Sequence, residues 1–178
     1  MQPSQNRRIL IERYFAGLAE HTFQSRLGVV DPPIVDYITD LLVRFVRLDS
    51  VHRMRTITGE PILQIGEMIS EAKKRLGDAR RDIHQHIGDF TLFWAGLFPE
   101  AVKKRMGDSA FHVYCSHGKR SYFIASEIET TDKQAAPSEV LQRLSDQFEL
   151  CVYGIREVRR EWETRDGEEG NSLSILLN

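Results

Sequence analysis

The sequence predicts an all-α fold, a single-domain helical bundle of about six to seven helices, and three observations predict it. Apolar residues recur three and four apart along most of the chain. No stretch alternates apolar and polar residues as a half-buried strand does, and glycine, proline and polar breaks cut the pattern into helix-sized pieces. At 178 residues and 41% hydrophobic content, the chain can bury a core without disulfide or metal support.

The elements follow in order. Ile11, Tyr14, Phe15 and Leu18 form an apolar stripe between Arg7 and Glu20, the mark of an amphipathic helix. Asp31 before Pro32 and Pro33 is a helix start, because a carboxylate can accept free N–H groups and proline has none to leave unpaired. The helix it opens carries Ile34, Ile38, Leu41, Phe45 and Leu48 on one face, with Asp40 placed to pair with Arg44 one turn on. Ser50 to Pro61 has no period and reads as a connection. From residue 62 to 97 a stripe from Ile65 to Leu97 continues through Gly77-Asp78, which divides it into two helices or bends one. Gly107-Asp108 makes a further break, and Phe111, Tyr114, Cys115, Gly118, Tyr122 and Ala125 mark a face whose small residues admit a close neighbour. A polar loop over Thr130–Ser138 precedes a last long helix, with Leu141, Leu144, Phe148, Cys151, Ile155, Val158 and Trp162 alternating three and four apart. Residues 1–163 are thus read as the bundle domain, and 164–178 as a flexible polar linker with a short apolar C-terminal tail.

Composition narrows the function classes. Lys+Arg 24 against Asp+Glu 26 lacks the basic excess of a general phosphate-backbone binder, which disfavours nucleic acid as a partner. Glu12, Arg13 and Glu20 interrupt every apolar run near the N-terminus, so neither a signal peptide nor a membrane span is expected. Cys115 and Cys151 both fall within helical patterns, which fits buried thiols in a reducing, cytoplasmic setting.

Candidate chemistry concentrates between Arg80 and Glu100, where ionisable residues abut an aromatic block. His84-Gln-His86 resembles a metal pair, but two residues on a helix separate side chains by roughly 200°. Asp82, His86 and Asp89 instead share one flank, a set able to contribute to a metal or small polar ligand site, with His117 or Tyr122 from a neighbouring helix. The metal and cofactor stay unknown, because no Glu-x-x-His pair or zinc spacing occurs. Lys73-Lys-Arg75, Arg80-Arg81, Lys103-Lys-Arg105 and Lys119-Arg120 would join into an anion-attracting patch if their helices packed together, but interspersed acids and positions near helix C-termini favour a solvated surface. Phe90, Phe93, Trp94 and Phe98, with Tyr114, Tyr122 and Phe123, form the largest apolar resource; any surplus beyond the core would line a ligand pocket or a partner surface. The expected function is a binding or protein-interaction module, with self-association included. The alternative is a helical enzyme or sensor built on Asp82, His86 and Asp89.

Overall fold

The structure, a computed structural model, describes residues 13–28, 31–46 and 64–169. The start of the first helix, Leu48, the Ser50–Pro61 connection and the tail from residue 170 lie outside the described residues. Within them the fold is all-α, with eight helices and no strand.

Helix α1 covers 13–26, and its last turn, His21–Arg26, is a widened π-turn in which the Leu27 N–H reaches back to the Thr22 carbonyl at 3.2 Å. That turn puts Phe23 fully inside, against Gly154, where a Cβ would collide with the ring. Helix α2 spans Pro32–Val46. Asp31 sits at its start as the sequence predicts, with a long 3.4 Å contact from the Ile34 N–H. It binds Arg143 more closely, through both oxygens at 2.9 Å, so one carboxylate serves a helix end and a contact between distant elements.

The 62–97 stripe is two helices among the described residues, α3 over Ile65–Lys73 and α4 over Gly77–Leu97. Gly77 opens α4 with a φ of +54° instead of closing the helix before it, so the break falls slightly earlier than its sequence signal. Leu76, expected on the apolar stripe, lies in this break and is 84% exposed. Helix α5, Pro99–Met106, starts on a proline suited to a first turn and ends at Gly107, whose φ is +86°. Helix α6 follows over Asp108–Glu127.

The last stripe is also divided. Helix α7, Ser138–Asp146, and helix α8, Phe148–Glu169, are separated at Gln147. The change of direction has a packing cause: α7 lies mainly on α6, whereas α8 lies mainly on α4. Helix α8 continues past Thr164, where the charged run begins.

Helix α4 is the hub, packed against α2, α3, α5, α6 and α8. It runs antiparallel to α6, pairing Arg81 with Ile128, Gly88 with Tyr122 and Thr91 with Gly118. A Cβ on Gly118 would stand 2.7 Å from both Thr91 and Phe148, which is why small residues occupy the middle of α6. The main core joins α1, α2, α4, α6, α7 and α8, with Val102 of α5. A smaller cluster of Met68, Ala72, Ile83 and Ile87 fixes α3 to α4. Ile65 and Phe90 pack against both clusters, so they mark the seam between the two cores. Among the described residues no helix is long and apolar enough to cross a membrane.

Candidate functional site

Two features of α4 stand out, one polar and closed, the other apolar and open. The closed one is centred on Asp89, a carboxylate only 1% exposed. Tyr37 of α2 donates its hydroxyl to Asp89 Oδ1 at 2.6 Å, and Tyr122 of α6 donates to the same oxygen at 2.7 Å. Arg44 of α2 donates to Oδ2 at 3.1 Å while its Nε pairs with Asp40 at 2.7 Å. Gln85 donates in turn to the Tyr37 oxygen at 3.1 Å. Both Asp89 oxygens and both phenol protons are therefore hydrogen-bonded, which is the condition for keeping a charge inside a bundle. Burial first, and then the Asp89 charge, push both phenols well above the ordinary tyrosine range. They stay protonated and act as donors. Burial opposes the Arg44 charge, but Asp89, Tyr37 and Asp40 outweigh it and raise its affinity for the proton further.

Gly88 makes this arrangement possible. A Cβ there would lie 2.6 Å from the Tyr122 ring, so only glycine lets the ring lie flat on α4 with its hydroxyl at Asp89. Tyr37 completes the packing, edge-on to Tyr122 at 6.3 Å between ring centres.

The candidates of the sequence are distributed over α4 and α6. Asp89 and Tyr122 are brought together. His86 is buried, stacked on Phe45 at 6.0 Å and tilted against Phe90 at 6.3 Å. Asp82 is exposed, and His117 is half-buried on α6 at an apolar cavity. Among the described residues no three His, Cys, Asp or Glu side chains converge on a point that an ion could occupy. Tyr37 and Gln85 were not singled out by sequence, and Arg44 was singled out only as the partner of Asp40, a pair that is present. The only hint was that Tyr37 and Arg44 stand seven residues apart, hence on one side of α2.

His84 and His86 point to different neighbours, as helical geometry requires. The His84 Nδ1 lies 3.5 Å from Ser121 Oγ on α6, at the edge of hydrogen-bonding range. Its imidazole is pushed down to about 4 by burial and then by Arg80 and Arg120. The basic groups of α4 and α6 do therefore meet around one histidine, while Lys119 is taken by Glu149 at 3.1 Å. Arg81, fully buried, donates to the carbonyls of Ile128 and Ala136 at 3.2 and 2.6 Å and so anchors the loop between α6 and α7. Both thiols are free; burial pushes Cys115 up to about 11 and Cys151 up to about 12, so neither is poised as a thiolate.

The open feature is a cavity of about 530 Å³ where α3, α4, α5 and α6 meet. It opens at the seam of the two cores, and Ile65 and Phe90 belong to its wall. Trp94 and Tyr114 add aromatic surface, while Gln64, Arg105 and His117 supply the polar edge. Trp94 continues an aromatic series, with Phe98 at 5.3 Å and Phe93 at 5.9 Å between ring centres. Trp94 Nε1 is buried without a hydrogen-bond partner among the described residues, an unspent donor beside an apolar space. Two exposed apolar side chains, Met106 at 49% and Val113 at 56%, also line it.

With this geometry in hand, comparison with protein-family models, with curated proteins and with solved structures finds no match for the chain.

Proposed function

We propose that this chain is a binding module that holds a small, largely apolar molecule in the cavity bounded by α3, α4, α5 and α6. The observation that carries this reading is the cavity itself. Its volume of about 530 Å³ falls within the range of roughly 300–1,000 Å³ typical of ligand pockets, and packed interiors seldom leave such a space unfilled. Its wall combines aromatic faces with a few polar groups, the usual composition of a site that takes its affinity from burial and its orientation from hydrogen bonds. The Asp89 group supports it indirectly, since it fixes α2, α4 and α6 without spending any cavity residue. The free thiols of Cys115 and Cys151 fit a reducing, cytoplasmic setting.

Self-association is the second reading, favoured by exposed Met106 and Val113 at the same place, where an apolar side chain from another copy would find a socket. One experiment separates the two. Anilinonaphthalene sulfonate is titrated into the wild-type chain and into Ala110→Trp, while sedimentation reports mass over a wide concentration range. Probe binding by a monomer, lost in Ala110→Trp, is the expected result. A dimer that Ala110→Trp dissociates would transfer the cavity to self-association, and a monomer that binds no probe would remove the proposal.

A further inference from the structure

The sign of the cavity's polar edge narrows what it holds. Its apolar wall around Ile65, Phe90 and Trp94 suits a hydrocarbon chain or ring and selects no charge. Selection rests on Gln64, Arg105, Tyr114 and His117. Among the described residues that line the cavity none is an acid, so no fixed negative charge faces the ligand. Burial pushes the Tyr114 phenol above its ordinary range, which keeps it a proton donor.

Arg105 carries the argument. It belongs to a basic last turn, Lys103-Lys-Arg105, which offsets the C-terminal dipole of α5. Lys103 sits over the Phe111 ring at 5.3 Å and pairs with Asp108 at 3.6 Å. Arg105 is the member of this turn that lines the cavity, and it has no ion-pair partner among the described residues. A planar guanidinium beside an apolar cavity, with an imidazole on the same wall, fits a carboxylate that can accept two parallel N–H bonds.

We propose that the cavity takes an amphipathic carboxylate, its apolar part against Phe90 and Trp94 and its acid group at Arg105, with His117 and Tyr114 as further donors. This assignment rests on the cavity reading above and adds the charge of the ligand to it.

Three probes with one tail test it: decanoate and decyltrimethylammonium below their micelle concentrations and decan-1-ol below its solubility limit, each titrated calorimetrically. The proteins are the wild type, Arg105→Gln and Ala110→Trp. The wild type is expected to bind decanoate about tenfold more tightly than decan-1-ol and to bind the ammonium most weakly, the scale set by charge-assisted hydrogen bonds at a partly solvated arginine. Arg105→Gln lowers decanoate affinity by about tenfold and leaves decan-1-ol within about twofold. Ala110→Trp removes binding of all three. Equal affinity for the three head groups, or a preference for the ammonium, would overturn the carboxylate assignment while leaving the cavity as a site. Full binding by Ala110→Trp, or no binding of any probe to the wild type, would overturn both.

Discussion

Two neighbouring stretches of helix α4, a closed one around Asp89 and an open one around Trp94, solve opposite problems with similar residues. Around Asp89, glycine, tyrosine, arginine and glutamine close on a buried charge until both carboxylate oxygens are hydrogen-bonded. Around Trp94, one and a half turns later, aromatic and aliphatic side chains meet without closing, and a cavity of about 530 Å³ remains. The difference teaches where to look for function in a helical bundle. A buried ionisable group with every partner in place has its chemistry already consumed by the fold, whereas incomplete packing leaves contacts for another molecule.

The strongest way to break this contrast is to remove the charge at Asp89. Asp89→Ala would leave two buried phenols without an acceptor and Arg44 with only Asp40, and it is expected to cost about 3–5 kcal/mol of stability in denaturant unfolding. A loss below about 1 kcal/mol would mean that the group is dispensable to the fold and open to another role. Because it includes no cavity residue, a folded Asp89→Asn variant is expected to keep probe binding in the cavity.

The pH dependence of the closed half comes next in size. The folded chain holds His84 neutral down to about 4, while an unfolded histidine titrates near 6.5. The unfolded state therefore binds more protons between these values, so stability is complete above about 6.5 and is lost progressively as the pH falls towards 4. The loss is expected to be of order 2 kcal/mol, smaller than full burial would give because the edge of the ring reaches solvent and the arginines are screened. His84→Gln should flatten this part of the curve relative to the wild type; two superimposable curves from pH 4 to 7 would remove His84 as the cause.

A smaller change dissects the two phenols. Tyr37→Phe and Tyr122→Phe each delete one hydrogen bond to a carboxylate that keeps the other, so each is expected to cost about 1–2 kcal/mol. Because both bonds end on Asp89 Oδ1, the double variant should differ measurably from the sum of the two. Strict additivity in a double-mutant cycle would show that the hydroxyls act independently.

The sequence made the helices legible because burial imposes its period directly. Ile34, Ile38, Leu41 and Phe45 are all buried in α2, as are Leu144, Phe148, Cys151, Ile155, Val158 and Trp162 across the α7–α8 division. That division was not legible, since the apolar period runs straight through it and neither proline nor glycine marks Gln147. Asp89 and Tyr122 were legible as candidates by their positions beside apolar stripes. Their connection to Tyr37 was not, because 52 residues separate Tyr37 from Asp89 and no local spacing encodes such a bond. The surplus of aromatic residues pointed to a pocket or a partner surface without choosing between them, and the cavity's location depends on how α3 and α5 dock on α4 and α6. Leu76 shows the same limit from the other side, for its period fits the stripe while its place in a helix break leaves it exposed.

The smallest expected stability effect is the most discriminating for the open stretch. Ala110 is half-buried on the cavity wall, so Ala110→Leu adds volume where packing is incomplete. In a closed core the same enlargement would cost about 1–3 kcal/mol through strain. Here it should change stability by no more than about 0.5 kcal/mol, or raise it slightly, because the new methyl groups gain contacts with the surrounding side chains and displace none. Gly88→Ala supplies the control on the same pair of helices, since its Cβ meets the Tyr122 ring at 2.6 Å and should carry the full penalty of overpacking. Equal losses for the two variants would mean that the cavity closes in solution. A near-neutral Ala110→Leu beside a destabilised Gly88→Ala would establish that α4 is packed to completion around Gly88 and left open around Trp94.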